Sequence, residues 1–131
     1  MEVAIAIAFL VVFLFGLYMI SPLLAPKQMN LMGMHVVITG GSYGIGFAVA
    51  REAFSRGAKV SIMARKKLQL QEAVDAINSI DHRFSGQKVR AVAVDVTDAA
   101  AVSMAMQEAV EHNGAVDVLV NCAGKLYDYC N

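Results

Sequence analysis

The sequence has little cysteine and no net charge, and it lacks any cluster of metal-ligating side chains. Two cysteines, Cys122 and Cys130, are too few for a disulfide scaffold and favour a reduced, cytosol-facing compartment. The 11 basic and 11 acidic side chains sum to zero with no basic stripe, which argues against a nucleic acid partner. No Cys/His spacing typical of a metal site occurs, and we predict surface or turn positions for the scattered histidines His35, His82 and His112.

Charge is absent from the N-terminal segment VAIAIAFLVVFLFGLYMISPLLAP, residues 3–26. As a helix rising 1.5 Å per residue, it would span roughly 36 Å, enough to cross a hydrocarbon core of about 30 Å. A cleaved signal peptide is the alternative, but Glu2 stands where such a peptide has a cation, and no small-x-small cleavage site precedes Pro26. The segment therefore predicts a single transmembrane anchor, and Lys27 favours a cytosolic C-terminal side.

After a short linker at residues 27–33, strand-like and helix-like segments alternate. Apolar, often β-branched runs predict four buried strands at residues 34–40, 58–64, 87–96 and 115–121. The segments between them have helical spacing, with Gly57 placed to end the first helix and Thr97 or Asp98 placed to cap the third. Right-handed crossovers then imply an α/β fold, the N-terminal half of a doubly wound parallel sheet with strand order 3-2-1-4, preceded by the transmembrane helix.

The motif TGGSYGIG, residues 39–46, lies between the first predicted strand and the following helix. Its glycines allow the backbone to turn sharply and to approach a pyrophosphate, which then meets the free N–H groups and the positive end of the helix. An ordinary strand-helix turn is the alternative. The surrounding β-α-β unit favours a dinucleotide-binding loop, because the strand and the helix are both where that mechanism requires them.

The segment MARKK, at the end of the second strand, indicates which dinucleotide binds. An NAD site would place an acidic residue about 20 positions past the glycines, but this position holds Arg65, followed by Lys66 and Lys67. Cations suit a 2'-phosphate, which predicts NADPH; the alternative is a solvated basic start of a helix, where the helix dipole disfavours cations. Asp95 is placed either to hold the adenine amino group, with Val96 against the ring, or to cap the next helix.

Together, TGGSYGIG, Asp95-Val96 and the NCAG turn (residues 121–124) resemble the N-terminal half of the short-chain dehydrogenase/reductases. The resemblance implies a partial, NADPH-binding Rossmann domain over residues 34–124 and an oxidoreductase acting on a keto group. It assigns contacts with the phosphates, the riboses, the 2'-phosphate and the adenine to the following residues: Gly40, Ser42, Tyr43, Gly44, Ile45, Gly46, Arg65, Lys67, Asp95, Val96, Asn121, Ala123 and Gly124.

The uncharged N-terminal segment combined with these motifs is similar to the branch of the family that reduces 3-keto sphingoid bases. That similarity implies NADPH-dependent reduction of a long-chain keto-sphingoid base in sphingolipid synthesis. It also implies a single-pass protein of the endoplasmic reticulum membrane whose Rossmann domain faces the cytosolic NADPH pool. The expected partners are the lipid bilayer and the keto-sphingoid base, with a homo-oligomer or pairing with a full-length enzyme as further expectations.

The sequence departs from the family at two places. Tyr43 stands where a small residue is usual. The family also needs a Ser and a Tyr-x-x-x-Lys beyond the fourth strand, whereas the tail KLYDYCN, residues 125–131, lies outside the resemblance and has no lysine four positions after Tyr127 or Tyr129. We therefore expect no catalytic residue here and keep two hypotheses: a truncated reductase, inactive alone, or a non-catalytic, membrane-tethered module that binds NADPH or pairs with a full-length partner.

Overall fold

An N-terminal helix precedes alternating strands and helices in the computed structural model, which describes residues 1–24, 29–80 and 89–124. In chain order the elements are α1 (Glu2–Leu24), β1 (His35–Thr39), α2 (Gly44–Ser55), β2 (Lys59–Ala64), α3 (Lys67–Asn78), β3 (Arg90–Ala93), α4 (Ala99–Asn113) and β4 (Val118–Asn121). Each predicted strand is present but shorter than its apolar run. The tail at residues 125–131, part of the linker and the predicted start of the third strand lie outside the described residues.

The four strands form one parallel sheet in the order β3-β2-β1-β4, which confirms the predicted topology. Strand β1 is central, and its side chains alternate between two apolar clusters on opposite faces. Val36 and Ile38 pack on the face covered by α2 and α3, whereas Val37 packs on the face covered by α4. Because both faces are covered, the central strands bury apolar side chains on both sides of the sheet, as a doubly wound sheet requires.

The helix ends follow local chemistry that the sequence indicates. Gly57 follows α2 with a φ of 84°, in the left-handed region where glycine is favoured. Asp98 rather than Thr97 caps α4, because its Oδ1 accepts hydrogen bonds from the backbone N–H groups of Ala100 at 3.0 Å and Ala101 at 3.1 Å.

His35 is buried in β1 with an exposed fraction of 1%, so the prediction of a surface or turn position is wrong. Its Nδ1 lies 2.8 Å from the carbonyl oxygen of Gly114, and its Nε2 lies 2.9 Å from the hydroxyl of Ser61. Because a carbonyl only accepts, Nδ1 carries the proton and the Ser61 hydroxyl donates to Nε2. That hydroxyl accepts in turn from the side-chain amide of Asn113 at 2.9 Å. The ring is therefore buried with both nitrogens satisfied.

The other two histidines differ from His35. His112 is exposed, as predicted, and its Nδ1 lies 3.0 Å from the carbonyl oxygen of Glu108 one helical turn earlier. His82 lies outside the described residues. Within residues 1–24, 29–80 and 89–124, no group of three or more His, Cys, Asp or Glu side chains is placed to hold a metal ion.

Helix α1 adopts the conformation that its sequence predicts, and several of its apolar side chains, among them Phe9, Phe13 and Leu17, are exposed. Over the part of the chain that the structure describes, however, no helix is both long and apolar enough to cross a membrane. The predicted transmembrane span at residues 3–26 thus has no support from the structure, and its last two residues lie outside the described ranges.

Candidate cofactor site

A cleft of about 930 Å³ lies along the carboxyl ends of the strands. The strand order reverses between β1 and β4, and ligands of doubly wound sheets bind at such a switch point. The residues that line the cleft lie at the carboxyl end of a strand or just after it. They are Gly40, Ser42, Tyr43, Gly44, Ile45 and Gly46 at β1; Met63, Ala64, Arg65, Lys66 and Gln69 at β2; Val94, Asp95, Val96 and Thr97 at β3; and Cys122, Ala123 and Gly124 at β4.

The glycine loop approaches the NCAG turn too closely for side chains. Gly40 has a φ of 70°, and a Cβ there would lie 2.8 Å from the backbone nitrogen of Ala123 and from the carbonyl carbon of Cys122. A Cβ on Gly46 would lie 2.3 Å from the carbonyl oxygen of Gly40. The glycines are therefore required by close packing of the protein on itself as well as by any approach to a phosphate.

The N-terminus of α2 opens onto this loop. Its N-cap residue, Tyr43, is extended and makes no side-chain capping hydrogen bond, and the first turn contains no acidic residue. The positive end of the helix is thus available at the cleft, which Gly44, Ile45 and Gly46 of the first turn line. This arrangement suits an anion such as a pyrophosphate.

Thr39, the last residue of β1, holds the NCAG turn in place. Its carbonyl oxygen accepts a hydrogen bond from the N–H of Cys122 at 3.1 Å, and its Oγ1 accepts one from the N–H of Ala123 at 3.2 Å. The hydroxyl also lies 3.5 Å from Oδ1 of Asn121, at the limit of a hydrogen bond. Asn121 pairs with Thr39 in the sheet and does not line the cleft, whereas Ala123 and Gly124 do.

The cations of the MARKK segment are divided between two places. Arg65 and Lys66 line the cleft, together with Gln69 in the first turn of α3. Lys67 instead lines a separate cavity of about 410 Å³ beside β3, where the carboxylate of Glu108 is also present. Lys66 therefore lies at the cleft and Lys67, the first residue of α3, lies outside it, and the role of Lys67 at a 2'-phosphate stays a prediction.

Asp95 holds the turn after β3 and does not cap α4. Its Oδ1 accepts hydrogen bonds from the N–H of Thr97 at 3.0 Å and from the hydroxyl of Thr97 at 2.8 Å. These two bonds, with the nearby charge of Arg65, lower the pKa of the Asp95 carboxyl below its ordinary value, although partial desolvation opposes the shift. The group is thus a carboxylate at neutral pH, and it lines the cleft as a hydrogen-bond acceptor.

A family model described as short chain dehydrogenase matches residues 34–129. The chain belongs to the short-chain dehydrogenase family. Among curated relatives it is 43% identical over 118 residues to a 3-dehydrosphinganine reductase of Danio rerio, covering 89% of this chain and 35% of the relative. It is 44% identical over 122 residues to a 3-ketodihydrosphingosine reductase of Bos taurus, covering 91% of this chain and 36% of the relative. The chain thus spans about a third of the length of these relatives, whose names confirm the resemblance seen in the sequence.

Solved structures of the family share this fold. An L-sorbose reductase from Gluconobacter frateurii, complexed with NADPH and L-sorbose, matches with a TM-score of 0.66 at 34% identity, covering 74% of this chain and 36% of that one. The C-domain of a bacterial malonyl-CoA reductase with NADP matches with a TM-score of 0.69 at 35% identity, covering 73% of this chain and 15% of that one.

Most predicted site residues of this short-chain dehydrogenase come together at the cleft, and two do not: Lys67 and Asn121. The structure also adds residues that were not among the predicted site residues. Of these, Lys66 lies between the two predicted cations Arg65 and Lys67, and Thr39 is the first residue of the TGGSYGIG motif. The others carried no individual signal. The added residues are Thr39, Met63, Ala64, Lys66, Gln69, Val94, Thr97 and Cys122.

Proposed function

We propose that this chain is the NADPH-binding part of a reductase that converts 3-ketodihydrosphingosine to dihydrosphingosine in sphingolipid synthesis. The observation that carries the cofactor choice is the pair of cations, Arg65 and Lys66, at the cleft after β2. A site for NAD has an acidic residue at this place, because a carboxylate accepts from the ribose hydroxyl that NADPH carries as a phosphate. The names of the relatives support the substrate class.

The cleft residues fit the parts of a dinucleotide in one order along the sheet. The N-terminus of α2 suits the pyrophosphate, because it has no side-chain cap and its first-turn residues Gly44, Ile45 and Gly46 line the cleft. Arg65 and Lys66 suit the 2'-phosphate, and Arg65 offers the bidentate geometry that phosphates favour. Asp95, as a carboxylate, accepts from the adenine amino group, and Val96, which is 43% exposed, offers an apolar surface for the ring.

NADPH, when bound, supplies the hydride that reduces a ketone. The protein's part in this chain is to bind and orient the cofactor, with the NCAG turn at the side of the cleft nearest β4, where the nicotinamide ribose is expected. None of these 131 residues forms a Tyr-x-x-x-Lys, so no proton donor is assigned among them. For this reason a non-catalytic NADPH-binding module, alone or paired with a full-length enzyme, is the second candidate.

We also propose that α1 attaches the chain to the endoplasmic reticulum membrane with the sheet on the cytosolic side. Two observations support attachment: residues 3–26 contain no charged side chain, and α1 exposes large apolar side chains, among them Phe9, Phe13 and Leu17. A keto-sphingoid base has a long acyl tail and partitions into the same bilayer. Cytosolic NADPH and a membrane-held ketone would then meet at one surface.

The cofactor assignment is tested by removing the charge of Arg65. In the full chain, Arg65→Ala is expected to raise the Kd for NADPH by about 10- to 100-fold, because a charge-assisted hydrogen bond contributes about 1.5–3 kcal/mol. The Kd for NADH should not change, since NADH has no 2'-phosphate. Fluorescence titration with each cofactor measures both values.

Lys67 provides a matched control for Arg65 in the same basic segment. Lys67→Ala should leave both dissociation constants unchanged, because its side chain lines the other cavity. Lys66→Ala should weaken NADPH binding with little effect on NADH. An Arg65→Ala variant that binds NADPH as tightly as the parent chain would overturn the assignment.

The two candidate functions are distinguished by turnover. We expect the 131-residue chain in lipid vesicles to bind NADPH but not to oxidise it when 3-ketodihydrosphingosine is added, because no Tyr-x-x-x-Lys is present to protonate the ketone. Loss of NADPH fluorescence and formation of dihydrosphingosine, followed by mass spectrometry, are the measurements. Product formation would show that these residues contain a proton donor after all.

A further inference from the structure

We propose that residues 29–34, the turn that leads into β1, form a second membrane contact in which Met29 and Met32 insert among the lipid headgroups. The proposal rests on the attachment of α1 to a bilayer. In this proposal the folded domain also contacts the bilayer, through residues 29–34, and the binding partner is the lipid headgroup layer.

The turn presents its two methionines from a fixed backbone. Leu31 packs against the apolar cluster between the sheet and helices α2 and α3, whereas Met29 and Met32 on either side of it are 55% and 57% exposed. The N–H of Met34 donates to the carbonyl oxygen of Leu31 at 3.1 Å, and the N–H of Gly33 donates to that of Gly57 at 2.9 Å. Burial of Leu31 thus sets the outward direction of its neighbours.

The covalent connection keeps this turn near the bilayer. Helix α1 ends at Leu24, and Met29 is the fifth residue after it. Five residues span at most about 18 Å even when fully extended. The headgroup layer on each side of the hydrocarbon core is roughly 6 Å thick. If α1 lies in the bilayer, Met29 therefore remains within reach of the membrane surface whatever path the intervening residues take.

The chemistry of the turn suits a lipid surface. Residues 29–34 contain no acidic side chain, so nothing in the turn repels anionic headgroups. The N–H of Lys59 donates to the carbonyl oxygen of Met34 at 2.8 Å, so the backbone of Lys59 lies beside the turn, while its ammonium donates to the carbonyl oxygen of Asn113 at 3.3 Å. Methionine side chains are flexible and polarisable and adapt to irregular apolar surroundings.

The contact would leave the cofactor cleft free. Strand β1 runs from this turn to the glycine loop, and its five residues span roughly 17 Å. The turn and the cleft therefore lie at opposite edges of the sheet. Changes at Met29 or Met32 should not alter NADPH binding, which provides an internal check that each variant is folded.

The test measures the depth of single sites in the full chain, reconstituted in vesicles of phosphatidylcholine and phosphatidylserine. In a Cys122→Ser, Cys130→Ser background, a spin label is placed through Met32→Cys, with Phe13→Cys on α1 and Met104→Cys on α4 as references. Met104 is 73% exposed on the folded domain and lies far from residues 29–34 in sequence. Accessibility to oxygen and to a water-soluble nickel complex is measured at each site, and NADPH binding is compared with the unlabelled background.

We expect the label at residue 32 to be shielded from nickel and accessible to oxygen, between the values at residues 13 and 104. If residue 32 is as accessible to nickel as residue 104 while residue 13 is shielded, the second contact is overturned and the attachment of α1 stands. If residue 13 is itself open to nickel, the attachment fails and this contact fails with it.

Discussion

Replacing Gly46 with alanine is expected to abolish NADPH binding and to lower the free energy of unfolding by about 3 kcal/mol or more. The added Cβ would lie 2.3 Å from the carbonyl oxygen of Gly40 and 2.8 Å from its carbonyl carbon. Both are backbone atoms that no rotamer change can move, so the loop itself must shift. A shift would separate the glycine loop from the NCAG turn and distort the site where the pyrophosphate is expected.

Alanine variants of two other glycines that line the cleft, Gly124 and Gly44, are controls for the steric clash expected at Gly46. Gly124 has no neighbouring atom within 4 Å of a built Cβ, so Gly124→Ala should change the free energy of unfolding by less than about 0.5 kcal/mol. Gly44 also has open space but a φ of 61°, and its alanine variant should lose only about 1–2 kcal/mol from backbone strain. Denaturant unfolding and NADPH titration of the full chain measure the stability and the cofactor affinity of the three variants. A Gly46→Ala variant as stable as Gly124→Ala would contradict the predicted clash.

His35→Leu is expected to lower the free energy of unfolding by about 2–4 kcal/mol without changing the cofactor site in molecules that remain folded. Leucine has a similar volume, so the loss comes mainly from polar groups that lose their histidine partner. These are the carbonyl oxygen of Gly114 and the O–H of the fully buried Ser61, whose oxygen still accepts from the side-chain amide of Asn113. The network lies at the start of β1, at the sheet edge opposite the cleft.

Exposed His112 is the control, and His112→Leu should change the stability by no more than about 0.5 kcal/mol. Adding Ser61→Ala to His35→Leu should cost less than the sum of the two single changes, because both single changes remove the same hydrogen bond between His35 and Ser61. Equal unfolding free energies for His35→Leu and His112→Leu would show that the buried network contributes nothing.

The strand order and the glycine loop could be predicted because each depends on a short run of residues. Strands β1 and β2 have apolar residues at successive positions, Val36-Val37-Ile38 and Ile62-Met63-Ala64, which is typical of strands covered on both faces. The glycines precede a helix by a fixed spacing. Both signals are complete within a β-α-β unit, so no distant partner is needed to interpret them.

The choice between Lys66 and Lys67 could not be predicted in the same way. Successive residues on a helix are rotated by about 100°, so the lysine that reaches the cleft depends on the exact residue at which α3 begins. Sequence patterns place a helix start only to within one or two residues. Here Lys66 is the N-cap residue and Lys67 is the first helical residue, and the two lysines line separate cavities.

The burial of His35 could not be predicted for a different reason. A histidine within an apolar strand gives no indication of its partners, and these come from β2 and from the end of α4, with Gly114 79 positions away. Its burial depends on a carbonyl, a hydroxyl and an amide that only the folded sheet brings together.

The close fit between the glycine loop and the NCAG turn also bears on the order in which the protein assembles. Residues 39–46 are contiguous, yet the hydrogen bond from Ala123 to Thr39 joins residues 84 positions apart. Contacts over such separations form late, because the intervening chain must first lose its loop-closure entropy. During synthesis the glycine loop emerges from the ribosome well before β4 and the NCAG turn, which complete the cleft. Affinity for the dinucleotide should therefore arise only when β4 joins the sheet, and the cofactor would bind preferentially to chains that have reached that stage.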